Sequence, residues 1–248
     1  MTRTKAKTLY SSIAIVLLFA LWQGYSISVG NPTLMPSVPD VMIRLWDLLQ
    51  SSSTYVTLLT SLGRLGISLA MAIVLGTSLG LLSGVSEALE AFLKPIIVSV
   101  RTLPVISIII VFLILFGNTT TLYLIVLLLL FPIIYQAVMD GVKHTDPLLV
   151  DVVRLDSNHW NIDVLKRVYL PLSIPFLRTA VIDAVGLGFK VLIISEYIAQ
   201  TKVSIGREIY ESKVNLAFSD VFAWTLLLLG YVLLMELLVE RILSPRAE

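Results

Sequence analysis

From Thr102 to Met139 the chain carries no charged residue, and the stretch is filled with Ile, Leu, Val and Phe. Such a run cannot be hidden as one element of a small soluble core. A bilayer core of roughly 30 Å, by contrast, takes about 20 apolar residues per helix. The run is too long for a single crossing. At its middle, "FGNTTT" (Phe116 to Thr121) places a glycine and an asparagine, which favour a turn. It therefore reads as two helices, at about 96–116 and 122–139.

Similar runs at about 9–29, 62–84, 172–199 and 221–240 bring the expected total to six membrane-spanning helices in one all-α domain, 1–248. No tandem repeat or low-complexity segment marks a second domain. The leading "MTRTKAK" could begin a secretory signal, but the apolar run after it exceeds a signal's core and no small-x-small cleavage site follows. It is expected to be a retained anchor. Composition agrees with a membrane protein: 57% of residues are hydrophobic and 14% charged. A net charge of +1 gives no basic surface for nucleic acid. The absence of cysteine rules out disulfides and thiolate metal sites, and His144 and His159 are the only histidines. No cofactor or metal is expected, nor a membrane-embedded enzyme, which would need clustered acids, bases or ligands in its spans. Lys and Arg fall mainly before the first span, between the second and third, in the 140–171 segment and in the tail. That distribution places both termini and the 140–171 segment in the cytoplasm.

The 140–171 segment is the polar exception in an apolar chain. Leu148, Val152 and Leu155 recur at helical spacing, as do Ile162, Leu165 and Val168. Asp163 precedes Arg167 by four residues, the favourable order for a helical ion pair, and Ser157, Asn158 and Asn161 supply capping or turn residues between the two stripes. Two short amphipathic helices could rest on the bilayer or on the protein's own helix ends. They could equally dock into a groove of another protein. The pattern alone leaves both open.

Three further features concern packing and passage. Gly76, Gly80 and Gly84 form a GxxxGxxxG ridge suited to close helix contact, within one subunit or between two. Asp183 and Lys190 interrupt the 172–199 span two turns apart, on one face with roughly 10 Å between them. Charges inside a bilayer face a cavity or a partner, so this stripe either lines a translocation path or is satisfied by neighbouring helices. Glu196 points elsewhere, about 120° around the helix. The segment "TKVSIGREIYESKVNLAFSD" is either a short surface helix or a connecting loop.

The order of these pieces resembles the membrane permease subunit of bacterial ATP-binding-cassette importers, in the nitrate/sulfonate/taurine permease group. The resemblance rests on "TLMPSVPDVMIRLWDLL", "TLLTSLGRLGISLAMAIVLGTSLGLLSG", "KPIIVSVRTLPVISIIIVFLILFGN", "FPIIYQAVMDGV", "YLPLSIPFLRTAV" and "ISEYIAQTKVSIGREI", and covers nearly the whole chain. It implies a type I importer permease fold with a coupling helix in the loop between helices 4 and 5. By that resemblance Asp151, Val152, Val153, Arg154, Ser157, Asn158, His159 and Trp160 are expected at an ATPase contact. Asp151 stands where the family has Glu, and Val152 and Val153 where it has alanines; the family's glycine is absent, with Ser157 or Asn158 near its place. The chain has no G-x-x-x-x-G-K-[ST], so it cannot cradle ATP phosphates itself. The resemblance implies two ATPase subunits, a second permease copy in a homodimer, an extracytoplasmic solute-binding protein, and a place in the bacterial inner membrane. Glu196 matches a position of that family and is expected to support the outer gate or the dock of the binding protein, and with the Asp183–Lys190 stripe it makes up the expected translocation-pathway residues. The rival reading is an ion-coupled carrier or channel using the same three residues as a relay.

Overall fold

The computed structural model describes residues 3–145 and 162–243. The expected ATPase-coupling residues, Asp151 to Trp160, lie outside the described residues. Every described element is helical: α1 (Arg3–Val29), α2 (Val38–Gln50), α3 (Ser52–Val85), α4 (Glu87–Thr102), α5 (Val105–Lys143), α6 (Leu170–Ala199), α7 (Ile205–Val214) and α8 (Phe218–Leu243). A short turn, Ile162–Val164, and a π-helical turn, Leu165–Tyr169, lead directly into α6. The amide of Leu170 bonds back to Leu165, five residues earlier. The widening falls just before Pro171, whose ring cannot sit against the carbonyl four residues behind it.

A straight helix from Val105 to Lys143 would run about 58 Å at 1.5 Å per residue. Yet Arg101, just before its start, lines the same cavity as Gln136 and Asp140 near its end. The chain therefore doubles back, and it does so at Gly117, whose φ of 74° and ψ of 175° are open to a residue without Cβ. Asn118 then donates its side-chain amide to the Ala199 carbonyl at 2.7 Å, tying the bend to the end of α6. The bundle so acquires two ends. The Lys143 end holds the finish of α3, both ends of α5 and the start of α6, and the Glu196 end holds the first turns of α3, the bend at Gly117 and the finish of α6.

Hydropathy and structure differ over the expected 96–116 helix. It is two elements, because Pro104 halts α4 after Thr102 and starts α5. The amphipathic α4 is capped by the Ser86 hydroxyl and carries Glu87 and Glu90 in its first turn and Arg101 in its last, matching the helix dipole. It crosses the Lys143 end, where Glu90 meets Lys143 at 2.6 Å and Ile97 packs with Tyr135 and Met139. The expected 62–84 span begins ten residues earlier, at Ser52. Both ends of the expected 140–171 segment are helical, since α5 runs to Lys143 and residues from Ile162 onward are helical. There Val164, Leu165 and Tyr169 are buried and Val168 is half-buried against the core, while Ile162 is exposed, so Leu165 and Val168 of the expected stripe turn inward and Ile162 does not. Asp163 and Arg167 stand 3.9 Å apart in water, a contact worth little.

Among the described residues, four helices are long and apolar enough to cross a membrane, within α1, α3, α5 and α8. α6 carries Arg178, Asp183, Lys190 and Glu196 and is not among them. The second arm of α5 forms the centre, with Leu122, Val126, Leu130, Ile134 and Val138 fully buried at four-residue spacing between α3 and α6. Small residues on α3 face that ridge. A Cβ at Gly76 would lie 2.8 Å from Ile134 Cβ, one at Gly80 2.8 Å from the Tyr135 carbonyl oxygen, and one at Gly84 2.5 Å from Val142 Cβ. Gly76, Gly80 and Gly84 thus pack within the chain, where missing side chains let two helix backbones approach.

Candidate functional site

Two groups of polar residues sit in this apolar bundle, and they lie on different faces of α6. The first is a stripe of exposed positions, Thr179, Asp183, Leu187, Lys190 and Ile194, at spacings of three and four. It looks away from the core built by Ala180, Ala184, Phe189 and Leu192. Among the described residues no salt bridge engages Asp183 or Lys190. Toward the Lys143 end the stripe opens into a cavity of about 530 Å³ lined by Asp183, Thr179, Arg101, Gln136 and Asp140. Gln136 donates to Asp140 there at 2.9 Å. The wall combines both signs of charge with uncharged hydrogen-bonding groups. A single subunit could not turn such a surface to lipid tails without a large cost.

The second group is fully enclosed. Glu196 has no exposed surface, and its carboxylate accepts from Arg64 Nη1 at 2.7 Å, from Ser61 Oγ at 2.8 Å and from the Gly206 amide at 3.3 Å. Ser61 also accepts from the Ile205 amide at 3.5 Å. Arg64 is nearly as buried, so this is an ion pair held out of water. Three donors from α3 and α7 satisfy the carboxylate, as a buried charge requires.

Local sequence explains why the pair can form. Ser61 and Arg64 are three apart, on one face of α3. "SIG", Ser204 to Gly206, begins α7, with the Ser204 hydroxyl accepting from the Arg207 amide. Of the free amides of that first turn the one of Gly206 meets Glu196, and the helix dipole favours a carboxylate there. Gly206 makes the approach possible, because a Cβ would lie 2.6 Å from Glu196 Cβ and 2.6 Å from the Ile193 carbonyl oxygen. On α7 itself, Glu208 is held above the ordinary Glu range by burial and then by Glu211, with Arg207 pulling the other way. Beyond it Tyr210 meets Tyr197 edge-on, and Lys213 reaches the Tyr197 hydroxyl at 3.1 Å.

The three residues expected to act together are therefore divided. Asp183 and Lys190 share an exposed face, while Glu196 belongs to a closed node with Arg64. Three residues of that node, Arg64, Ser61 and Gly206, were not among the sequence candidates. The signal for Arg64 was available: an arginine inside an apolar span demands an acidic partner. The segment from Thr201 to Asp220 does hold a helix, α7, rather than a plain loop.

Residues 72–247 match the family model described as binding-protein-dependent transport system inner membrane component. Among curated proteins, the formylaminopyrimidine transport permease protein of Halalkalibacterium halodurans is 28% identical, over 96% of each chain. The taurine transport system permease protein of Escherichia coli is 25% identical over 96% of this chain and 89% of its own. The nitrate import permease protein of Leptolyngbya laminosa is 26% identical over 98% of this chain and 87% of its own.

Proposed function

The chain belongs to the family of binding-protein-dependent transport system inner membrane components, and from that premise we propose that it is the pathway-forming permease subunit of an ATP-driven importer. Two copies pair across the exposed stripe of α6, and solute passes between them along Thr179, Asp183 and Lys190. The observation that carries this reading is a pair of charged side chains, Asp183 and Lys190, without a salt-bridge partner among the described residues, on the outward face of a helix wedged into an apolar bundle. A face of that kind needs water or a second subunit against it.

The remaining parts follow from the same arrangement. Two ATPase subunits are received by the two copies, one on each, through Asp151, Val152, Val153, Arg154, Ser157, Asn158, His159 and Trp160. The Lys143 end and both termini lie in the cytoplasm, in line with the Lys and Arg distribution. The Glu196 end faces a solute-binding protein, and six crossings result if α6 spans the bilayer and α5 crosses twice about Gly117. The solute is in the range named for the relatives: an anion such as nitrate, a sulfonate such as taurine, or a formylaminopyrimidine.

Purification of the tagged protein from its native membranes in mild detergent is expected to bring an ATPase subunit with it, lost on Asp151→Ala or Trp160→Ala. Uptake is expected to require ATP, and Lys190→Ala to lower it at least about tenfold, the equivalent of 1.4 kcal/mol in the transport barrier. ATPase-free preparations from membranes still competent for uptake would refute the importer. Uptake at the unaltered rate in Lys190→Ala would remove that residue from the pathway.

A further inference from the structure

α2 is a helix with three faces rather than two. At 100° per residue, Val41, Leu45 and Leu48 fall on one side and pack toward α8, with Val41 fully buried and Leu45 and Leu48 against Leu58, Ile205, Trp224 and Leu227. Asp40, Arg44 and Asp47 fall on the second. Met42, Ile43, Trp46 and Leu49 fall on the third, and all four are exposed, Trp46 at 63%. A helix lying between water and one other helix has no use for that last face.

Depth and continuity identify what covers it. Trp22 near the end of α1 donates to the Pro36 carbonyl at 3.1 Å, and Gln23 accepts from the Val38 amide at 2.9 Å, fixing the start of α2 at the level where α1 finishes. Arg44 grips Asp220 in the first turn of α8 through two nitrogens, at 2.5 and 2.9 Å. α3 begins at Ser52, just beyond α2. Three apolar helices thus start or stop at the level of α2, which is where a bilayer ends. Tyr55 on α3 donates to the Leu49 carbonyl at 2.6 Å, and exposed Val56 and Leu59 carry the apolar surface on down α3.

The geometry points to α2 as an interfacial helix that binds lipid: its Met42–Trp46–Leu49 edge is seated at the headgroup–acyl boundary of the leaflet at the Glu196 end, with Asp40, Arg44 and Asp47 turned to water. Tryptophan suits that layer because its ring is apolar and its N–H can be hydrated. Immersion of such a face reaches about 5–10 Å below the headgroups. The Arg44–Asp220 clasp then holds α8 to a collar fixed in the membrane plane.

The chain has no cysteine, so single cysteines can be introduced at Trp46→Cys, Met42→Cys and Asp47→Cys, each at an exposed position, and spin-labelled. In vesicles of phosphatidylethanolamine and phosphatidylglycerol, accessibility to oxygen and to Ni(II)-ethylenediaminediacetate reports depth. Labels at 46 and 42 are expected to meet oxygen several-fold more than nickel relative to the label at 47. Nickel dominating at 46 and 42 as it does at 47 would overturn the assignment and leave the face to a soluble protein. Labels at 46 and 42 shielded from both reagents would overturn it equally, since protein would then cover the edge.

Discussion

Glu196→Ala is expected to destabilise the protein by about 3–5 kcal/mol, because it leaves the Arg64 guanidinium buried without its counter-ion. The loss extends to α7, whose Gly206 amide also gives up its acceptor. Arg64→Ala should cost a similar amount by stranding the carboxylate. The double variant should cost clearly less than the two single effects added, since each single effect is mainly the penalty of the group left behind. Thermal unfolding in mild detergent measures all three, and strict additivity would mean that the pair does not interact. Glu196→Gln removes the charge and one acceptor together, since its single carbonyl oxygen can serve Ser61 and Arg64 at the Oε1 position or Gly206 at the Oε2 position but not both.

Gly206→Val carries the other large effect. Its Cβ would press on Glu196 Cβ, the Ile193 carbonyl and the Tyr197 amide nitrogen, and two of those three are backbone atoms of α6. They cannot rotate away, so α7 must lift off. We expect about 2–4 kcal/mol from overpacking together with the lost hydrogen bond, with faster protease cleavage between α6 and α8. Gly206→Ala should show most of it, because the clash begins at Cβ. Gly66→Ala on α3 is the matched control: nothing lies within 4 Å of its Cβ position, and a helical alanine gains about 0.5–1 kcal/mol over glycine. Equal behaviour of positions 66 and 206 would contradict the packing of α7 on α6.

What could be read in the sequence follows physical range. The reversal at Gly117 was legible because glycine and asparagine signal a turn locally, and the Gly76–Gly84 ridge because its spacing matches one helix face. Which surface the ridge meets was not legible. A second copy and α5 present the same kind of apolar groove, and only the fold brings Ile134, Val138 and Val142 opposite it. The break at Pro104 was hidden by hydropathy, which continues unchanged from α4's last turn into α5. α2 escaped notice for a related reason. Its apolar residues form one wide sector, and only the fold shows that Val41, Leu45 and Leu48 are covered while Met42, Ile43, Trp46 and Leu49 are left exposed. The Glu196 node was furthest out of reach, since its members come from three helices and Arg64 lies 132 residues away from Glu196. An intramembrane arginine announces a partner without naming it.

The exposed face of α6 is the centre of the transport reading, and cysteine chemistry tests it without knowledge of the solute. Leu187 sits between Asp183 and Lys190 on that face, 39% exposed, while Val74 on α3 is 63% exposed beside exposed Met71 and Leu75, with the Ser78 hydroxyl bonded back to its carbonyl. A charged, membrane-impermeant methanethiosulfonate, applied to native membranes during ATP turnover, should modify Leu187→Cys and spare Val74→Cys. Modification should also slow the ATPase-driven cycle, because the adduct lies in the path. A Leu187→Cys as unreactive as Val74→Cys would mean that the stripe faces lipid or packed protein, and that solute crosses elsewhere.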